Sequence, residues 1–471
     1  MRRKQEKTEE VEAEESLRQE DKQEKKQAKP LKKRIGFAAI CVALAAAFFF
    51  GGFFTYSLTL DKEIRSLIWA KNKIQKEYNY EVTDGEFYEA VFDAVDGLLD
   101  PYSEYLTEKE YKERLQSATG RWSGVGLRFL TVDERGEEQL LIMRVSGNSP
   151  AERAGIQAGN FVIGYGTKKE EIVRDTDYQA FSEFLLKRAE KEKFFLLVKD
   201  GKTGEETPFA VCKENFIENY VFYRTNEGGY TFTGAKADTL TQTSENITAL
   251  LDDTAYIRLT QFNGRAAGAF DQAMSLFKQQ NKKNLVLDLR GNGGGDMEIL
   301  KEIAKYFCKT AETTQPTVAK AHYRNGRKQS FRAPANLYYE YFSEDSEICV
   351  LADNETASAS ECLIGCMLDY GAVGFDEVFL CERYGIVSTA EGKQTVYESK
   401  TYGKGIMQTT FPRNLWGGEA IKLTTANIVW PLSDTCIHGV GITLESGAKK
   451  ISYSPNPDEE IESALSSFYA K

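Results

Sequence analysis

Two apolar runs set the strongest limit on how this chain folds: Leu285-Val286-Leu287-Asp288-Leu289 and Ile348-Cys349-Val350-Leu351. Neither alternates apolar with polar residues, as a strand with one wet face would. A short continuous apolar run bounded by turn residues fits a strand covered on both faces. Each is followed by a turn of small residues and then by helical periodicity, over residues 298–309 and 358–370. A further strand at 254–259 precedes a helix at 266–280. This alternation, from about residue 209 onward, points to an α/β layer around a largely buried sheet.

Upstream the texture differs. Residues 61–118 read as helical, with Ile64, Leu67, Ile68 and Ile74 on one face and Phe87, Val91, Ala94 and Val95 on a second. Pro101 ends that pattern, and Thr107 with Glu110 has the spacing of a capping box for the next helix. Residues 119–208 then carry short β runs at 140–145, 161–165 and 194–198, with a short helix at 149–156 and an amphipathic one at 178–191.

With 471 residues, 41% hydrophobic and 28% charged, the chain has room for about two to four domains with real cores. A net charge of −11 argues against nucleic acid as the main partner. Residues 1–34 mix dense Lys, Arg and Glu with almost no large apolar side chains and read as a disordered cytoplasmic tail. Residues 35–60 carry no charge and exceed the roughly 20 apolar residues that cross a bilayer. Lys32, Lys33 and Arg34 put the preceding end in the cytoplasm, so everything after Asp61 is expected outside the cell membrane. A cleaved signal peptide is the rival reading, and the long leader favours an uncleaved single-pass anchor. Of eight cysteines, Cys41 lies in the span, which leaves an odd seven. Cys362 and Cys366 share a helical face without a second ligand pair and read as small buried hydrophobes, so no metal site is expected.

Four segments carry chemistry. In Thr356-Ala357-Ser358-Ala359-Ser360-Glu361 a serine sits where a strand turns into a helix, beside free amides and the positive end of the dipole. Alone, Ser358 or Ser360 reads equally as a helix N-cap. A nucleophilic serine needs a base, and the chain's two histidines, His322 and His438, lie in no obvious catalytic context. In Tyr402-Gly403-Lys404-Gly405, a buried Lys404 could serve once its pKa falls, with Gln408 placed to orient its amine. The plain alternative is an exposed turn. The third segment, Asp288 to Asp296 through Gly291-Asn292-Gly293-Gly294-Gly295, presents amides suited to an oxyanion or a phosphate. No Gly-Lys-Ser/Thr follows, which disfavours a phosphate-binding enzyme. Fourth, Gly124, Val125, Gly126 and Leu127 can form an amide nest for a terminal carboxylate beside a strand edge open to an added peptide, or be an ordinary glycine-bearing strand start.

In this order the pieces resemble the carboxyl-terminal processing proteases, the tail-specific serine proteases that carry a PDZ domain. The resemblance runs over about residues 72–445. It includes Leu99-Asp100-Pro101-Tyr102-Ser103-Glu104-Tyr105-Leu106 ahead of the PDZ signature at Ser123 to Phe129, and the closing His438-Gly439-Val440-Gly441-Ile442. It implies a mixed α/β protease core at 209–471 behind a PDZ domain at 119–208, and a serine endopeptidase needing no cofactor. It further implies Ser358 as nucleophile, Lys404 as base and Gln408 as its orienter. The amides of Ala359 and Gly294 would be the oxyanion hole, and Gly124 to Leu127 the peptide-binding loop. Partners would be proteins or peptides with free C-termini, and a homo-oligomer is compatible with the sequence. The chain departs from the family pattern in three ways. Lys404 follows Ser358 by 46 residues, a longer gap than usual, with residues 375–399 expected as a polar surface hairpin. The glycine turn lacks the usual proline, and Thr356 replaces a serine. A catalytically silent PDZ receptor on the same fold is the alternative reading.

Overall fold

The computed structural model describes residues 61–470 except 135–136, 202, 233–239, 312–314, 390–391, 414–417 and 455. The expected tail at 1–34 and span at 35–60 lie outside the described residues. Among those described, no helix is long and apolar enough to cross a membrane. The chain divides into two compact units, residues 1–95 and 96–471. The described part of the first is helical. In it Lys71 Nζ meets Asp84 Oδ1 at 3.0 Å, linking helix Lys62–Glu77 to the start of helix Asp84–Asp96.

The second unit is built on an eight-stranded sheet. Its order is Leu240–Thr243, Gly229–Phe232, Val221–Arg224, Thr254–Leu259, Asn284–Asp288, Ile348–Ala352, Val378–Cys381, Lys449–Ile451, and the last five run parallel. The two apolar runs are adjacent central strands, buried at every position. Their period of two sends Leu285 and Leu287 to one core and Val286 to the other. The first core is closed by helices Ala266–Gln279, Met297–Ala304 and Ala359–Asp369, the second by Pro457–Phe468. In Ala359–Asp369 nine residues are buried, Cys362 and Cys366 among them. Burying Leu363 or Ile364 there stabilises by roughly 1.5–3 kcal/mol each, so the helix that follows Ser358 is fixed by packing.

A second sheet carries the lysine segment. Strand Ile406–Pro412 pairs antiparallel with Ala420–Val429, which also pairs with Thr317–Tyr323 and with Glu104–Leu106. The region expected to be helical through residue 118 is therefore broken by a strand. Asp100 and Ser103 bind Thr424, which draws the chain after Pro101 onto this sheet before the capped helix Glu108–Ala118 begins.

The expected PDZ region folds as a five-stranded antiparallel sheet, Leu127–Glu134, Glu137–Val145, Phe161–Gly166, Lys193–Lys199 and Glu206–Cys212, with helices Pro150–Ala154 and Tyr178–Leu186. Its last strand passes the expected boundary at residue 208, because Phe209 and Val211 pack into this domain's own core. The expected hairpin is also narrower than residues 375–399. Only Arg383–Thr389 and Gly392–Glu398 form it, while Val378–Cys381 is a fully buried strand of the main sheet. That run is apolar, and a polar surface segment could not have held it.

Candidate active site

Ser358 sits between strand Ile348–Ala352 and helix Ala359–Asp369 with φ 57° and ψ −115°, a region that L-residues rarely occupy. The surroundings enforce this. Thr356 Oγ1 donates to the Leu289 carbonyl at 2.9 Å, and the Ala357 amide donates to the Asn292 carbonyl at 3.0 Å. The Gly291 amide in turn donates to Asp353 Oδ1 at 3.0 Å. The serine turn and the glycine turn are thus stitched into one body. Ser360 also donates its hydroxyl to the Asn292 carbonyl, at 2.9 Å, and is fully buried. Its oxygen is committed to structure, whereas Ser358 is only half-buried and makes no hydroxyl hydrogen bond among the described residues.

The lysine loop is stapled to this body through Glu361, which is 0% exposed. Its Oε2 accepts the amides of Ser358 at 2.9 Å and Lys404 at 2.8 Å. Its Oε1 accepts the Gly403 amide at 2.7 Å and the Thr401 hydroxyl at 2.6 Å. Burial raises the Glu361 pKa, and these four donors oppose the rise by favouring the carboxylate. The Tyr402 amide adds a bond to the Thr356 carbonyl at 3.0 Å. Glycine is needed on both sides of Lys404: a Cβ on Gly403 would lie 2.8 Å from the Gly441 nitrogen, and one on Gly405 2.7 Å from that of His438. Gly-Lys-Gly is therefore a packed crossing, not an exposed turn.

Lys404 is half-buried, and its pKa is lowered, first by burial and then by Lys422 and Arg114. Asp100 and Glu361 partly oppose the shift. Its Nζ lies 5.1 Å from the centroid of the Tyr102 ring. Tyr102 donates its amide to Asp100 Oδ1 at 2.9 Å and meets the Tyr402 hydroxyl at 3.3 Å, a bond that pushes its pKa to about 12. His438 packs edge-on to the same ring at 6.3 Å. Among the described residues no hydrogen bond joins Ser358 Oγ to Lys404 Nζ. Gln408 sits at a β-bulge, its Nε2 3.4 Å from Thr424 Oγ1, and among the described residues it makes no bond to Lys404. The bulge turns it toward the Asp100–Thr424 cluster.

Gly294, at φ +95°, lies against the serine: a Cβ there would be 2.8 Å from both the Ala357 carbonyl and the Ala359 nitrogen, and 2.9 Å from Ser358 Cβ. This is the closeness expected of an oxyanion site. The Gly294 amide itself, however, donates to Asn292 Oδ1 at 2.9 Å, because the buried Asn292 turns back under the loop. In this conformation Gly294 offers space more than a free donor. Ala359, the first residue of its helix, has no acceptor among the described residues.

Beneath both turns lies a buried ionic chain. Arg290 binds Asp288 through Nη2 at 2.6 Å and Glu460 through Nη1 at 2.6 Å, and Tyr256 donates to Asp288 at 2.6 Å. Burial raises the Asp288 pKa, but the Arg290 guanidinium more than offsets it and holds the carboxyl well below the usual range. Arg383, at the root of the hairpin, grips both Glu460 oxygens at 2.6 and 2.8 Å and reaches Asp353 at 3.3 Å.

The segment expected to bind peptide also lies at a cavity. Gly124, Val125, Gly126 and Leu127 line a groove of about 630 Å³ between the edge strand Leu127–Glu134 and helix Tyr178–Leu186. The residues that sequence reasoning missed are Glu361, Tyr102 and Asn292. Glu361 had left a signal, since it stands three residues after Ser358 in capping-box spacing. Among the described residues no cluster of His, Cys, Asp and Glu is arranged to hold a metal ion.

Residues 253–374 match the model for Peptidase family S41. The chain is 25% identical over 387 residues to a probable CtpA-like serine protease of Staphylococcus saprophyticus, covering 80% of this chain and 65% of that one. It is 25% identical over 394 residues to a protein of the same description from Staphylococcus haemolyticus, covering 82% and 65%. The chain thus spans just under two thirds of the length of these relatives. A putative S41 protease from Bacteroides fragilis has a similar fold, with TM-score 0.52 and 15% identity over 85% of this chain and 97% of that one.

Proposed function

We propose that this chain, whose residues 253–374 match peptidase family S41, is a serine endopeptidase anchored to the cell membrane through residues 35–60, cutting extracytoplasmic proteins recognised by their C-termini. Ser358 Oγ attacks the scissile carbonyl while neutral Lys404 takes its proton. The tetrahedral oxyanion is met by the Ala359 amide and the positive end of its helix. Collapse breaks the C–N bond, the ammonium of Lys404 returns the proton to the leaving amine, and water hydrolyses the acyl group on Ser358. The Gly124–Leu127 turn receives the substrate's terminal carboxylate.

The observation that carries this reading is the shared anchoring of the Ser358 and Lys404 amides on Glu361, beside a lysine whose pKa burial lowers. Ser358→Ala and Lys404→Ala are each expected to abolish cleavage of an unstructured tailed protein while thermal unfolding stays cooperative. Wild-type turnover in Ser358→Ala would sink the assignment. One observation favours the second reading, a silent receptor on the same fold: Lys404 Nζ faces the Tyr102 ring with no hydrogen bond to Ser358 Oγ. A serine-reactive phosphonate that labels wild type but not Ser358→Ala rejects that reading.

A further inference from the structure

The groove beside Gly124–Leu127 carries an unbalanced charge. Three cations, Arg128, Arg144 and Lys213, line it against one carboxylate, Glu218. Two already have partners: Lys213 donates to the Leu185 carbonyl at 3.0 Å, and Arg144 pairs at 2.7 Å with Glu218, which is buried. Arg128 is exposed and has no hydrogen-bond or ion-pair partner among the described residues. It stands directly across the strand pair from Arg144. Like charges directly opposite destabilise an antiparallel pair, and Glu218 serves only one of them. Glu355, on the serine turn, is a further carboxylate within the field of both arginines.

Position decides which ligand atoms Arg128 meets. Leu127–Glu134 is an edge strand, so a peptide can add along it. On that strand Leu127 and Phe129 face the domain core and Arg128 points the other way. In the added strand, side chains alternate likewise. The C-terminal residue and the one two before it face the apolar floor near Phe181 and Leu185. Residues one and three before the terminus face Arg128.

We infer that the groove selects protein C-termini that end in an apolar residue and carry Asp or Glu one or three positions earlier, with Arg128 as the specificity-determining contact. This rests on the reading of the five-stranded domain as a recogniser of C-termini. The chain as a whole is acidic, at −11, so this basic rim is a local exception. Charge complementarity there gives selectivity more than affinity.

The test is fluorescence anisotropy with full-length Ser358→Ala, which binds without cutting. The probes are ten-residue peptides with a C-terminal valine and Asp, Ser or Lys at the first and third positions before it. The Asp peptide is expected to bind on the order of fivefold tighter than the Lys peptide, the scale of one partly exposed ion pair, and high salt should shrink the difference. Arg128→Gln should erase the preference and Arg128→Glu should invert it. The inversion also shows that the variant is folded. Equal binding of the Asp and Lys peptides, with loss of binding by the C-terminal carboxamide, overturns the acidic preference but leaves C-terminal recognition standing. Equal binding of acid and carboxamide overturns C-terminal recognition itself, and the inference with it.

Discussion

The backbone amides of Ser358 and Lys404 share one acceptor, Oε2 of Glu361, at 2.9 and 2.8 Å. Two segments 46 residues apart in sequence are thereby held to a common reference that is itself buried in a packed helix. The longer gap before the lysine, which holds the hairpin Arg383–Thr389 and Gly392–Glu398, leaves this register untouched, because the Gly403 and Lys404 amides lie beyond the hairpin and both reach Glu361.

Glu361→Gln is expected to lower kcat/KM by about a hundredfold, the scale of a small misplacement of reacting groups. A carboxamide has one oxygen where four donors now find two, so it cannot hold both loops. Steady-state kinetics should show the loss mainly in kcat. An unchanged kcat would mean that the shared acceptor does not position the pair.

The pH profile follows from Lys404. As the proposed base it must be neutral, so kcat/KM should climb as pH rises through the lowered lysine pKa and level off before the ordinary value near 10.5. Stability has the same sign. Between the lowered value and 10.5 the unfolded chain holds a proton that the folded chain does not, so stability rises with pH across that window. Urea midpoints for Lys404→Met should lack this rise. His438→Ala should keep the profile's shape, although its ring packs on Tyr102; a profile that loses its lower limb in His438→Ala would assign the titration to the imidazole instead.

Gly294→Ala places a Cβ 2.8 Å from the Ala359 nitrogen at φ +95°. Both the clash and the backbone strain act at the proposed oxyanion position, with strain of about 1–3 kcal/mol. Labelling by a serine-reactive probe should slow by at least about tenfold, and thermal unfolding should shift down. Wild-type labelling would remove the glycine turn from the site.

Glu460→Ala strips Arg290 and Arg383 of a buried carboxylate. Removing one partner of a buried ion pair destabilises by about 3–5 kcal/mol, so the urea midpoint should fall with little change in slope. A loss under about 1 kcal/mol would show that water or Asp353 replaces the lost partner.

The central sheet was legible because its strands are apolar on both faces, and Leu285, Val286 and Leu287 could only be covered twice. The close backbone packing around Ser358 and Lys404 was legible through the small residues beside them. Less could be read where a role depends on a distant neighbour. Gln408 was expected on the lysine, but the bulge beside it and Thr424 took its side chain. Gly294 was expected to donate, but Asn292 claimed its amide. Val378–Cys381 was absorbed into the expected hairpin because four apolar residues between polar stretches give no sign of the sheet they join.

The amino-acid order alone determined the layers, the glycine-flanked lysine and the serine at a strand–helix turn, since periodicity and residue size are local properties. Tertiary structure decided that Ser360 is committed to a carbonyl and that Glu361 binds the serine and lysine loops together. It also put Tyr102, far upstream, against the lysine amine. A buried carboxylate or an aromatic face acts on whatever the fold brings within a few ångströms, and that is set by packing across the whole unit.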